Sequence, residues 1–244
     1  MSNNIPNVPG NWAPPILYST PISDRLDELL GDIHLTDGEW EVDLDGMYSA
    51  AVAEVADLLA PETLVSYCAA PVILTVAADS IPVTGAKVLY VRRQDNLVAT
   101  GGPFYECTEV TISQFQHANI ADSIYAATVQ SPVYVVAPYN GEPTLQILPL
   151  PSAGDSDPST AEVYLFEYPS AMPVSAASTI AGMPNQLTMA ILLRTATHVL
   201  NAYLAWAVHE EEDNEIVALV SAQIQAYQAA YQAEMKRYME GATE

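Results

Sequence analysis

The stretch "PVYVVAPYNGEPTLQILPLP", Pro132 to Pro151, folds back on itself by local rules alone. Val133 and Val135, then Leu145 and Ile147, alternate with their neighbours, as a strand with one buried face requires. Between the two runs stands Asn140-Gly141, the pair that tolerates positive φ at both central positions of a tight hairpin turn. A β-hairpin over 132–151 is therefore expected. What surrounds it decides the class of fold.

On its C-terminal side, the loop "SAGDSDPST" leads to "AEVYLFEY", which reads as a further strand from Ala161 to Tyr168. On its N-terminal side, "VILTVAADSIPV" and "AKVLYVRR" are β-rich segments meeting near Pro82 to Gly85. The segment "VTISQFQHANIADSIYAA" is polar and mixed, and reads as a short helix or a loop between strands. Helical spacing appears from Met47 to Leu59, where Ala51, Val52, Val55, Leu58 and Leu59 recur, with Pro61 as the stop.

From Asn185 the character changes. No Gly or Pro occurs before Gly241, and alanine is abundant. Asn185 is the expected N-cap, because its side-chain oxygen can accept an otherwise orphan backbone N–H. The acidic knot Glu210 to Glu215 either breaks the run into two antiparallel helices or sits on one exposed turn. Ile216, Val220, Ile224, Tyr227, Tyr231, Met235 and Tyr238 form a stripe at i, i+3/i+4 spacing, a packing face within the chain or against another copy. At the other end, Pro6, Pro9, Pro14, Pro15 and Pro21 stand among asparagines and favour an extended arm. The expected fold is α+β: a C-terminal helical hairpin or bundle packed with a small antiparallel or mixed sheet. The expected divisions are an arm over 1–22, a mixed helix and β-rich region over 23–184, and a helical region over 185–244.

Half of the 244 residues are hydrophobic and only 15% are charged, as in a globular chain with one sizeable core and a helical appendage. The charge is lopsided: 30 acids stand against seven bases, for a net charge of −23. That excludes the cationic footprint that nucleic-acid binding uses, and an anionic membrane surface would repel the chain. The N-terminus has no basic n-region followed by an apolar h-region, and no apolar stretch approaches a membrane span. A protein made in the cytoplasm that stays soluble is expected.

Catalytic signatures are not visible. Cys68 and Cys107 have no metal spacing and read as small buried apolar side chains. His198 and His209 are eleven residues apart, roughly 16 Å along a helix, too far to share one metal. His209 with Glu212 or Asp213 has ligand-like spacing, which an exposed acidic turn explains equally well. No nucleophile elbow, S-x-x-K or phosphate-cradling glycine motif occurs. Arg92-Arg93 is the one paired basic site on a strand, with a salt bridge as its expected use. No enzyme, cofactor or metal is expected.

The order of elements carries a resemblance. Strands with "VLYVRR", then "SPVYVV…PYNGEPTLQILPLP" and "VYLFEYPSAMP", lead into "MPNQLTMAILLRTATHVLNAYL". This succession, over roughly Val72 to Tyr238, resembles the head-to-tail adaptor or neck (connector) proteins of tailed bacteriophages. The resemblance implies a virion structural protein, made in the host cytoplasm and assembled into the neck. It implies a ring, commonly of about twelve copies, that binds the portal on one side and a tail or nozzle protein on the other. DNA would pass through without specific binding, repelled by the acids. Tyr227, Tyr231, Met235 and Tyr238 would then be interface anchors, and the hairpin tip Asn140-Gly141 an assembly device whose edge pairs with a neighbour. The alternatives are another minor virion component such as a tail-completion protein, a cytoplasmic α+β module with a small-molecule pocket under Tyr134, Tyr139 and Tyr164, and, last, an unrecognised hydrolase.

Overall fold

A computed structural model describes residues 21–31, 42–68, 70–75, 78, 80–95, 102–151, 160–173, 177, 179–210 and 214–241. The elements run α1 (Ile22–Leu30), α2 (Leu44–Leu58), α3 (Pro61–Val65), β1 (Val72–Leu74), β2 (Ser80–Pro82), β3 (Ala86–Gln94), β4 (Phe104–Glu106), β5 (Thr108–Glu109), α4 (Ile112–Ala118), β6 (Val133–Tyr139), β7 (Glu142–Leu148), β8 (Ala161–Glu167), α5 (Thr188–Glu210) and α6 (Asn214–Gly241). The class is α+β, divided into two units. The extended arm expected over 1–22 lies outside the described residues, apart from Pro21 and Ile22, the second of which opens α1.

The β-rich unit comprises 52–170 with 181–184. At its centre is the hairpin, with β6 and β7 in register from Val133↔Leu148 to Tyr139↔Glu142. Asn140 (φ 53°) and Gly141 (φ 89°) make the turn in the left-handed region, as their chemistry allows. Where one small sheet was expected, there are two four-stranded sheets, ordered β1-β8-β3-β4 and β2-β7-β6-β5. Leu74, Val91, Ala161 and Val163 from the first pack with Leu145 and Ile147 from the second, as inner faces of a sandwich do. A bulge between Val88 and Tyr90 keeps Val88 and Val91 on the core side although they are three apart.

One residue joins the sheets. The N–H of Cys107 donates to the Val91 carbonyl (2.9 Å) in the first sheet, and the next N–H, of Thr108, donates to the Pro132 carbonyl (3.0 Å) beside the second. Since β4 and β5 are the edge strands of their sheets, this edge of the sandwich is closed by the chain itself. β1 and β2 occupy the opposite edge.

Helical residues cover part of this unit. Val55, Leu59 and Leu64 are buried, and Lys87 ties the end of α2 to β3: its Nζ donates to the Ala56 carbonyl (3.0 Å) and lies 3.3 Å from Asp57. A cation there complements the carbonyls left over at a helix C-terminus. The run over α2 ends at Leu58, ahead of Pro61 as expected, and Pro61 also begins a helix: it is the first residue of α3, where a missing N–H costs nothing.

The helical unit comprises 1–51, 171–180 and 185–244, described over the residues given above. It groups α1 with the C-terminal helices, a different partition from the contiguous 23–184 and 185–244, because Ile22, Leu26 and Leu30 are buried and α1 packs on α5. From Ala190 to Leu200, α5 is buried nearly all round, so its hydroxyls are satisfied internally. Thr195 donates to the Ile191 carbonyl (2.9 Å) and Thr197 to that of Leu193 (2.7 Å). α5 and α6 pack along one another with only residues 211–213 between them, so they run antiparallel. Asn185 does not cap α5; it opens a 3-10 turn, Asn185–Leu187, that leads into Thr188. Among the described residues no helix is long and apolar enough to cross a membrane.

Candidate interaction surfaces

The α6 stripe is largely spent within the chain. Val220, Ile224 and Met235 are buried, and Tyr227, Tyr231 and Tyr238 are half-buried. The Tyr227 hydroxyl donates to the Leu29 carbonyl near the end of α1, and the Gln223 amide donates to the same oxygen (3.1 Å). That carbonyl has no partner within its own helix, so α6 caps α1. Arg194 of α5 lies 5.8 Å from the ring centroid of Tyr231, a cation–π contact. These four anchor candidates therefore already have intrachain work.

The hairpin differs too from a free pairing device. Its base is the middle of a sheet, flanked by β2 on one side and β5 on the other. β5 reaches only Val133 and Tyr134, and β2 only Thr144 to Gln146, so the tip runs on beyond both. Tyr139, Asn140 and Gly141 are exposed there.

Arg92 and Arg93 face opposite ways. Arg92 pairs with Glu162 (Nη2 to Oε2, 2.6 Å) and lies 4.6 Å over the Phe104 ring and 5.6 Å from that of Tyr164. The Tyr164 hydroxyl donates to the same carboxylate (3.1 Å), and Tyr90 stacks on Tyr164 at 5.9 Å. An arginine among three half-buried aromatics on an outer sheet face has the composition of an interface centre. Arg93 is only 1% exposed, and its bonds run to backbone: Nε donates to Pro149 O (2.7 Å), Nη1 to Gln94 O (2.9 Å) and Nη2 to Leu150 O (3.1 Å). Burial pulls its pKa below the usual arginine value. The expected salt bridge holds for Arg92, while Arg93 holds three backbone carbonyls and feels the nearby Cys107 and Asp95 as well.

A surface without a signature in periodicity lies just after α4. Thr111 and Gln114 close a capping box at its start, with Thr111 Oγ1 accepting from Gln114 N–H (3.3 Å) and Gln114 Oε1 accepting from Thr111 N–H (3.0 Å). The loop that follows is held by its own backbone: Ser123 N–H to Ile120 O (2.9 Å), Ala126 N–H to Ser123 O (3.0 Å) and Ala127 N–H to Ala118 O (3.0 Å). It holds Ile120 at 54%, Ile124 at 91% and Tyr125 at 70% exposure. Fixed backbone with large apolar side chains turned to water is the geometry of a docking knob. The available signal was its charge: from Val110 to Gly141 the sole charged side chain is Asp122, in a chain with 30 acids.

Conventional chemistry gathers poorly here. Among the described residues no three His, Cys, Asp or Glu side chains cluster as metal ligands. His198 is half-buried in α5, while the His209 side chain, Glu212 and Asp213 lie outside the described residues. Cys68 and Cys107 are both free thiols; burial pushes both up, Cys107 to about 12. An open depression of 430 Å³ is lined by Glu109, Val110, Thr111, Ile112, Gln114, Val135 and Val136. Tyr134, Tyr139 and Tyr164 do not form the pocket considered for them: Tyr134 packs on the sandwich core, Tyr139 sits at the hairpin tip, and Tyr164 is on the outer face of the other sheet. No known protein family model matches the chain, and no curated protein matches its sequence.

Proposed function

We propose that this chain is a structural assembly subunit, and that the particle it serves is the neck of a tailed bacteriophage. In that reading copies close into a ring of about twelve that joins the portal to the tail. The observation that carries it is the preorganised knob at Ile120, Ile124 and Tyr125, exposed on a chain with a net charge of −23. Large apolar side chains held outward on a fixed loop have a use once a second surface covers them. The outer-face cluster of Tyr90, Arg92, Phe104 and Tyr164 supplies a second surface of interface composition.

The acidity has a use in the same reading. A ring of such subunits would present an acidic passage through which DNA moves without sticking. The same repulsion delays self-association until a partner adds contacts. Electron microscopy of the chain co-expressed with the products of its neighbouring genes tests the proposal. Closed rings seated on a portal-like particle support it. A dispersed monomer that joins no particle overturns it.

A further inference from the structure

Asn140 is the one asparagine of the chain that a glycine follows. That order sets a backbone nitrogen, unhindered by a Cβ on its own residue, next to a side-chain amide, the arrangement in which the two react. The fold leaves both groups accessible. Nothing lies within 4 Å of the place a Cβ would take on Gly141, and neither its N–H nor the Asn140 amide has a hydrogen-bond partner among the described residues. From Tyr139 to Glu142 every residue is exposed, beyond the pairings with β2 and β5. The last anchored residue is Pro143, whose carbonyl accepts from the Val83 N–H (2.9 Å). Pro138 stands opposite it, and neither proline has an N–H to give, so the tip beyond them is held by the Tyr139↔Glu142 pair alone. Asp45-Gly46 can form the same ring by losing water, but there the fold forbids it. Within α2, the Gly46 N–H donates to Asp43 Oδ1 (2.9 Å), and Asp45 Oδ1 accepts from the Met172 N–H (2.8 Å).

We propose that Asn140 is a site of spontaneous deamidation, with water as the only co-reactant. The Gly141 nitrogen attacks Asn140 Cγ and bonds to it; the Cγ–Nδ2 bond breaks, and ammonia leaves with the proton that the backbone amide gives up. Water then opens the five-membered imide, and nothing is oxidised or reduced. Opening at the new Cγ–N bond gives aspartate on an ordinary backbone. Opening at the original peptide bond gives isoaspartate, in which the chain runs on through Cγ and is one methylene longer. The two products treat the turn differently. Aspartate tolerates the left-handed region as asparagine does, so the hairpin survives with one more negative charge beside Glu142. Isoaspartate lengthens a two-residue loop whose twist matches its strands only at that length. The Tyr139↔Glu142 pair is then lost, while the Pro143 anchor and the β2 pairing from Thr144 onward hold the rest.

The test incubates the full chain in mildly alkaline buffer, folded and, in parallel, unfolded in urea. Peptide masses and an isoaspartyl-specific methyltransferase read the products. No hydrogen bond of the folded tip has to break before the attack, so Asn140 should convert in the folded chain within about tenfold of its unfolded rate. The mass gain, that of an amide becoming a carboxylate, should map to the peptide holding Asn140 and spare those holding Asn119, Asn185 and Asn201. Asn140→Asp should show no gain in that peptide, and Asp45 should acquire no isoaspartate while the chain is folded. In the isoaspartyl fraction, amide exchange should quicken at Tyr139 and Glu142 and stay unchanged from Thr144 to Gln146. An Asn140 that stays intact in the folded chain while the unfolded chain converts overturns the site, as does a gain that reaches Asn119, Asn185 or Asn201 first. An isoaspartyl fraction that exchanges at Tyr139 and Glu142 as slowly as the parent overturns the effect on the turn.

Discussion

Replacing Arg93 by methionine removes a cation that sits where a strand core usually holds an aliphatic chain. Methionine occupies a similar volume, so the cost falls on the three carbonyls of Gln94, Pro149 and Leu150 that the guanidinium now serves. Hydrogen bonds to a charged donor contribute about 1.5–3 kcal/mol each, and a dry carbonyl left behind costs about 1–3 kcal/mol. Against this, the variant no longer has to bury a charge, a relief of several kcal/mol. The balance is a net loss of about 3–5 kcal/mol for Arg93→Met, the usual size when one side of a buried charged network is removed. Arg93→Lys keeps the charge but replaces a three-way fork with a single ammonium, and should fall about halfway. Urea unfolding followed by the near-ultraviolet tyrosine signal measures it. At a slope of about 2 kcal/mol per molar urea, Arg93→Met shifts the midpoint down by about 2 M. A midpoint within about 0.3 M of wild type would refute the claim that this guanidinium holds the segment after β7 onto β3.

Other substitutions probe the remaining features. Gly141→Ala places a Cβ at φ 89° with open space around it, so backbone strain alone should cost about 1–2 kcal/mol, measured by the same urea curve. Tyr48 is fully buried, and its hydroxyl has no hydrogen-bond partner among the described residues; burial alone raises its pKa. Tyr48→Phe should therefore leave stability unchanged or raise it by about 1 kcal/mol, and a loss above that in thermal unfolding would show a missing partner. The Cys107 thiol ionises near 9 when unfolded and at about 12 when folded, so its neutral form favours the fold. That contribution is full below pH 9 and is lost as pH rises through about 12, so Cys107→Ala should flatten the alkaline limb of the stability curve. In the native chain a thiol reagent should label Cys68, which is partly exposed, well before buried Cys107; equal rates would contradict the sandwich corner.

Legibility followed the range of the interactions. The hairpin was readable because a period of two on each side and Asn140-Gly141 between them are local facts, and the register matches them residue for residue. The helical tail was readable for the same reason. The division into two sheets was not, since the strands at its crossing, β4 of one sheet and β5 of the other, have three and two residues, too short to show any period. Their placement depends on pairings with β3 and β6 across the chain. Arg93 was read by its charge, but what decides its role is the inward side of β3 and the carbonyls that arrive with Pro149 and Leu150. The stripe on α6 was correctly recognised as a packing face; spacing cannot tell that its Tyr227 would reach Leu29, nearly two hundred residues earlier. α1 escaped notice although Leu26, Leu29 and Leu30 have helical spacing and Gly31 ends them. The knob was the hardest, because an exposed isoleucine in a mixed segment looks like any loop until its backbone is seen to be fixed.

The single-residue crossing at Cys107 also sets how this sandwich breathes. Two sheets joined through one residue behave like a book bound along a tight spine, and the opposite edge is fastened too, by the five residues between β1 and β2, where Thr75 and Ala78 exchange backbone hydrogen bonds (3.0 and 3.1 Å). Amide exchange should therefore be slow at β4 and β5 despite their shortness, and fastest at β1, where only three residues hold the strand to β8. A partner laid along β1 would add a second clasp beside the one that the chain itself makes at Thr75 and Ala78.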